Sequence, residues 1–186
     1  MKYFKKIIGN KLYLSPINTG DYEQLTEWLN DINVTIYLYM KDQIITLEKE
    51  KAYLEKISKE KHHFALINLE NDKLIGDCGL LNVDYVHRSA ELGIMIGDRA
   101  YWNQGYGSDA VNLMLDYGFS LLNLNSIYIL TFSFNQRAIA CYKKSGFKEV
   151  GRRREAHIIG QKKYDLIIMD ILAEEFSGTI QEYIKS

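Results

Sequence analysis

Cysteine is scarce in this chain of 186 residues: Cys78 and Cys141 are the whole complement, and they form neither a metal-ligand spacing nor a disulfide framework. Each is expected to behave as a small packed hydrophobe, and no metal is expected. Proline occurs once, at Pro16, and no stretch is rich in Pro, Gly or Ser. Without a linker, a low-complexity tract or an internal repeat, residues 1–186 are expected to form a single domain. An excess of either charge is also missing, with 23 basic residues against 24 acidic ones. That balance excludes a whole-molecule field able to draw in nucleic acid or an acidic membrane. No apolar run approaches the roughly 20 residues of a membrane span. The opening MKYFKKIIGN has basic residues but too short an apolar core for a signal peptide, so a cytoplasmic location is expected. Apolar residues themselves are plentiful at 47%, enough for a full core in a 21.6 kDa chain.

The most informative stretch runs from residue 90 to residue 119. Ala90, Leu92, Ile94 and Ile96 alternate with Glu91, Gly93 and Met95, the period of a strand with two distinct faces. Ala110, Leu113, Met114, Tyr117 and Leu121 then recur three or four apart, the stripe of a buried helix face. Between them lies Gln104-Gly105-Tyr106-Gly107-Ser108. Two glycines two apart let the backbone turn tightly and aim several N–H groups the same way, and Ser108 suits the helix cap. Strand, glycine turn and helix N-terminus make an anion cradle; a tight structural turn is the other reading of these residues alone.

The wording of the stretch resembles the acetyl-CoA motif of the GNAT acetyltransferases, Gln/Arg-x-x-Gly-x-Gly/Ala. Gln104 and Gly107 match, Gly105 lies inside, and the last small residue is displaced to Ala110. A second block, Asn135-Gln136-Arg137-Ala138-Ile139 followed by Tyr142-Lys143-Lys144-Ser145-Gly146-Phe147, resembles the Asn-x-x-Ala-x-x-x-Tyr-x-x-x-Gly-Phe signature of the same family. The resemblance covers a core of about 11–172 and is closest to the RimJ/RimL and spermidine acetyltransferase branch. It implies a mixed, mostly antiparallel central sheet flanked by helices on both faces, an α/β (α+β) fold. It also implies acetyl-CoA as cosubstrate and direct attack by an amine in a ternary complex.

The rest of the chain reads in the same direction. Residues 11–17 form a first strand, and Asn18 or Thr19 caps a helix with Tyr22, Leu25, Trp28 and Leu29 on one stripe. A second helix starts after Thr46, and Asn71-Asp72 turns a hairpin between strands at 64–69 and 74–83. Beyond the central helix come a strand at 126–132, a short helix at 136–145, and two closing strands at 147–153 and 164–173 around Gly160.

Acyl transfer from a thioester to an amine needs the cofactor's phosphates held, its carbonyl polarised, a proton taken from the amine and the thiolate stabilised. The resemblance assigns the phosphates to the turn Gln104, Gly105, Tyr106, Gly107 and Ser108. It places the pantetheine arm between the strands at 91–96 and 126–132, with a backbone N–H near Ile94 toward the thioester carbonyl and Ile96 and Ala138 as further cofactor contacts. Asn135 contacts the pantetheine or caps the short helix, and Lys144 faces the adenosine phosphates or belongs to a solvated helix face. Tyr142 is the candidate acid, since a phenol is neutral at pH 7 and can donate to a leaving thiolate. Glu91 is the candidate base, directly or through water; a structural glutamate is the alternative. His62, His63, His87 and His157 receive no catalytic role, and Arg152, Arg153 and Arg154 read as surface.

The acceptor is a small-molecule amine or a protein N-terminus. Tyr39-Met40-Lys41-Asp42, Gly79 and Asn82 stand where the spermidine branch carries carboxylates, which argues against spermidine. A catalytically silent acetyl-CoA sensor is the rival from another class, and retention of Tyr142 and Glu91 argues against it. Abundant tyrosine and the habit of the branch point to a homodimer.

Overall fold

The computed structural model describes residues 2–180, and eight strands are found among them. They are β1 (Ile7–Ile8), β2 (Leu12–Pro16), β3 (His63–Asn68), β4 (Leu74–Asp84), β5 (Ser89–Ile96), β6 (Ser126–Phe132), β7 (Lys148–Ile159) and β8 (Lys162–Leu172). They hydrogen-bond side by side in the order β1-β2-β3-β4-β5-β6-β8-β7, and β5 runs parallel to β6. The helices are α1 (Tyr22–Asn30), α2 (Ile32–Thr35), α3 (Leu47–Ile57), α4 (Tyr106–Asp116) and α5 (Gln136–Lys144). The expected order of elements is found, with β1 and the four-residue α2 added. The chain divides into two compact units, Met1–Gly79 with Ile94–Ala110, and Leu80–Gly93 with Val111–Ser186; residues 1 and 181–186 lie outside the described residues.

In the first unit, Asn18 accepts from the Gly20 amide at 2.9 Å, and the cap opens a 3-10 turn at Thr19–Asp21 that leads into α1. Thr46 caps α3 as expected, accepting from the Lys49 amide at 3.2 Å. The two helices meet through Leu25, Trp28, Leu54 and Ile57, with Ile17, Leu74 and Met95 packed against them. Burial of these side chains stabilises the unit by about 1.5–3 kcal/mol for each large one fully covered.

In the second unit, α4 does not end as a regular helix. Tyr117–Leu121 forms a π-helical turn in which the Leu122 amide donates to the Tyr117 carbonyl at 3.2 Å. The wider turn shifts the phase of the helix, so Leu121, expected on the buried stripe, is 45% exposed and Leu124 is buried instead. Gly118 is what lets the turn settle, because a Cβ there would lie 2.6 Å from Cδ1 of Ile127. The closing strands are longer than the sequence suggests. Glu155 adopts a φ of 51° at a register shift between Arg153 and His157, and its amide donates to Asp165 at 2.9 Å. That irregularity breaks the alternation that would have revealed the strand. His157 stacks on Phe132 with centroids 3.8 Å apart, a packing role.

Candidate active site

The glycine turn belongs to the first unit. Trp102 donates from Nε1 to the Ile96 carbonyl at 2.8 Å, and positive φ at Asn103 (58°) and Gly105 (89°) reverses the chain. The Asp109 amide donates to the Gly105 carbonyl at 3.0 Å, and α4 opens at Tyr106. Ser108 therefore sits inside the first turn of α4, not at its cap, because Gly105 reverses the chain earlier than expected. Gln104 is exposed and donates to the Ala100 carbonyl. The ring of Tyr106 turns inward, accepting from Asn68 at 3.0 Å and meeting Tyr101 edge-on at 5.0 Å, so its backbone is what it offers a ligand.

Two residues to which the sequence reading gives no role at the site complete this turn. Asp109, where the family pattern has a small residue, accepts from the backbone amides of Asn10 (3.1 Å), Lys11 (2.8 Å) and Leu12 (3.2 Å). The clamp lays the side chain of Lys11 alongside the turn, its Cε 3.5 Å from where a Gly105 Cβ would be and its ammonium 5.4 Å from the centroid of the Tyr106 ring. First-turn amides without intrahelical acceptors, the positive end of α4 and a lysine fit the phosphates of acetyl-CoA. Gly107 is not among the positive-φ glycines. Its φ therefore does not by itself require glycine. Gly107→Val is expected to leave the protein folded and weaken acetyl-CoA binding at least about tenfold, a loss near 1.4 kcal/mol, by calorimetry. Undiminished affinity would remove the cradle.

The second unit holds the candidate acid and base. Parallel pairing of β5 with β6 ends at Glu91 opposite Tyr128, while β6 continues to Phe132 paired with β8. At that last rung the half-buried Glu91 accepts from Asn82 Nδ2 at 3.3 Å and from the Tyr128 hydroxyl at 3.4 Å. Burial, then the charge of Glu91, pushes the Tyr128 phenol up. Tyr128 was within reach of sequence reasoning once the two strands were aligned in register; Asn82 was not, because its positive φ of 51° gives no signal in the pattern.

Tyr142 is buried on α5, its ring 6.0 Å from that of Phe147. Its hydroxyl has no hydrogen-bond partner among the described residues, and burial pushes the phenol well above its usual range. It therefore stays protonated at any working pH. No hydrogen bond links it to the Glu91 group. Asn135 caps α5, accepting from the Ala138 amide at 3.3 Å, while Lys144 is exposed. Ile94 and Ile96 are half-buried, in the first unit.

A further ionisable group sits in the first unit, beside α3. Glu50 shares the buried stripe of Leu54 and Ile57 and is only 4% exposed. Asp77 on β4 pairs in register with Ala65, and His63, next along that face, pairs with Gly79 and lies where a Gly79 Cβ would be. Burial, reinforced by the charge of Glu50, pushes the Asp77 carboxyl up to about 7. The folded chain then holds a proton between about pH 4 and pH 7 that the unfolded chain has released, so this group's contribution to stability falls as pH rises through that window. Asp77→Asn removes the effect. Its stability relative to wild type is expected to rise by on the order of 2–4 kcal/mol between pH 4 and pH 8 in urea melts. A constant difference would show that Asp77 is ionised normally.

Comparison with known proteins agrees with this geometry. A family model described as an acetyltransferase (GNAT) domain matches residues 11–148. Spermidine N(1)-acetyltransferase of Vibrio cholerae is 28% identical over 91% of this chain and 97% of its own length. The Escherichia coli K12 enzyme of the same name is 26% identical over 90% and 89%. The crystal structure of the Vibrio cholerae enzyme with CoA and spermine superposes with a TM-score of 0.79, at 27% identity over 88% of this chain and 96% of that one. Among the described residues no helix is long and apolar enough to cross a membrane, and no group of three or more His, Cys, Asp or Glu could hold a metal. With the strand order, the glycine turn opening α4 and a family model spanning most of its length, this chain belongs to the GNAT family of acetyl-CoA-dependent N-acetyltransferases.

Proposed function

We propose that the acceptor is a primary amine of a small aliphatic polyamine, with Glu91 as base and Tyr142 as donor to the departing sulfur. The observation that carries this reading is the Glu91 group: a half-buried carboxylate on the last rung that joins β5 to β6, oriented by Asn82 and Tyr128. Beyond that rung the β5-facing side of β6 has no strand partner, so an extended ligand can add there as a strand would. The turn at 104–108 and Lys11 hold phosphate, and acetyl-CoA supplies the thioester. Attack forms a C–N bond and breaks the C–S bond. Glu91 receives the proton the amine sheds, directly or through water. Tyr142 donates a hydrogen bond to the sulfur, which its raised phenol favours over ionising.

The polyamine choice is supported by the relatives from Vibrio cholerae and Escherichia coli, whose names give spermidine as substrate. Asn82, in place of the carboxylate expected of that branch, here orients Glu91. Thiol release with spermidine, 1,4-diaminobutane, an amino sugar and a peptide N-terminus tests the proposal. Turnover is expected with the first two; turnover with the peptide alone would overturn the acceptor, and none with any amine would favour the sensor. Assembly as a homodimer is part of the same proposal and is checked by sedimentation; the dodecameric structure belongs to the Vibrio cholerae enzyme.

A further inference from the structure

A carboxylate in the first turn of a helix ordinarily binds that helix's own free amides, and at a phosphate cradle it would compete with the ligand for them. Asp109 does not. It is 9% exposed, and among the described residues every hydrogen bond it accepts comes from the turn between β1 and β2, in the same unit. The Gly9 amide donates to the Leu12 carbonyl at 2.8 Å and closes that turn, so the next three amides, of Asn10, Lys11 and Leu12, converge on one anion. The fit is close: a Cβ on Gly9 would stand 2.6 Å from Oδ2 of Asp109. Three donors compensate the buried charge, and Asp109 leaves the first-turn amides of α4 to a ligand.

The same turn fixes where Lys11 points. Its amide donates to Asp109 at 2.8 Å and its carbonyl accepts from the Leu69 amide at 3.0 Å, so its backbone is pinned on both sides. From there the side chain runs to the glycine turn, with Cε 3.5 Å from the place of a Gly105 Cβ. Lys11 is exposed, and its ammonium, 5.4 Å from the centroid of the Tyr106 ring, has no hydrogen bond or ion pair among the described residues. Arg99, the one basic residue in the segment 97–108, is already committed: its guanidinium meets Asp31 at 3.7 Å and lies over the Trp102 ring. A lysine without an internal partner, held beside a cradle made of backbone amides, adds the full positive charge that those amides lack.

We propose that Asp109 is a positioning residue for acetyl-CoA: it acts through Lys11, whose ammonium it directs to the phosphate groups of the cofactor. The inference rests on the phosphate reading of the turn at 104–108 and deepens it, because the side-chain charge of the cradle enters from the β1–β2 turn and not from the glycine motif. Asp109 itself touches no ligand. Lys11 meets either the pyrophosphate or the 3′-phosphate of CoA, and the chemistry is the same for both, ammonium against phosphate oxygen.

The experiment is calorimetry of CoA and 3′-dephospho-CoA with the full chain, at low and at high salt. The proteins are wild type, Lys11→Met, Lys11→Arg, Asp109→Asn, Gly9→Ala and the double variants that carry Lys11→Met. Lys11→Met is expected to weaken CoA binding about tenfold at low salt and less at high salt, and Lys11→Arg to keep most of the affinity. Asp109→Asn removes the charge that gathers the three amides, and Gly9→Ala keeps both residues but drives a Cβ onto the carboxylate. Each is expected to weaken CoA several-fold in the wild-type background and not at all in the Lys11→Met background. That non-additivity separates positioning from a merely structural role, which would cost the same in both backgrounds. Gly9→Ala decides the matter if Asp109→Asn does not fold. A Lys11→Met loss that disappears with dephospho-CoA assigns the contact to the 3′-phosphate, and one that persists assigns it to the pyrophosphate. Wild-type affinity in Lys11→Met overturns the inference, and so do Asp109→Asn or Gly9→Ala losses equally large in the Lys11→Met background. A wild-type chain that binds no CoA would remove the cradle itself, whereas binding indifferent to Lys11 removes only the positioning role.

Discussion

Tyr142→Phe should lower turnover by about 10²–10⁴ while leaving acetyl-CoA affinity nearly unchanged. The substitution keeps the ring, its burial and its contact with Phe147, and removes one hydroxyl. That hydroxyl has no partner among the described residues, so its loss leaves no orphaned group behind and folding stability should hold or rise slightly. The effect is thus confined to what the O–H does for a sulfur becoming negative. Because burial holds the phenol well above its ordinary range, it acts by hydrogen bonding and is never spent as phenolate. The wild-type rate should accordingly show no loss from phenol ionisation on the alkaline side up to about pH 10, the ordinary value for tyrosine. Steady-state and single-turnover kinetics measure the first claim, and wild-type turnover in Tyr142→Phe would reduce Tyr142 to a packing residue.

The second large effect lies in the backbone. A Cβ at Gly76 would stand 2.0 Å from the Met95 carbonyl oxygen and 3.0 Å from the Ile96 Cα. Both obstacles are main chain, so no rotamer change relieves them, and β4 and β5 must part locally. Gly76 also pairs with Leu66, which is fully buried, so the displacement propagates into β3. Gly76→Ala should therefore lose more than about 3 kcal/mol, at the far end of what single substitutions do. Urea denaturation of the full chain measures it, and a midpoint like that of wild type would mean the two strands yield freely.

The residues that were legible from sequence share a property: their signal is local. The alternation through Ala90, Leu92 and Ile94, the cap at Thr46 and the turn at Gly105 each depend on neighbours a few positions away, and each appears in the structure, whereas Gly107 falls inside α4. The misreadings come from contacts distant in sequence or from broken periods. Ser108 lost the cap because positive φ at Gly105 started α4 early. Leu121 left the buried stripe because Gly118, wedged on Ile127, permits a wider turn. Lys11 reaches the turn only through Asp109, 98 positions away. Glu50 looks like any solvated glutamate between lysines; nothing in its own stretch says that α3 turns it inward.

On the reading proposed above, the unfinished ladder on β6 would tie the protein's endurance to metabolite supply. A ligand that binds only the folded chain shifts the folding equilibrium by mass action, by about 2.7 kcal/mol at a hundred times its dissociation constant. If acetyl-CoA completes the backbone pairing that stops at Glu91 and Tyr128, it does so as a removable rung. The chain is then sturdiest where its own cosubstrate is abundant, and its lifetime follows the acetyl supply it consumes.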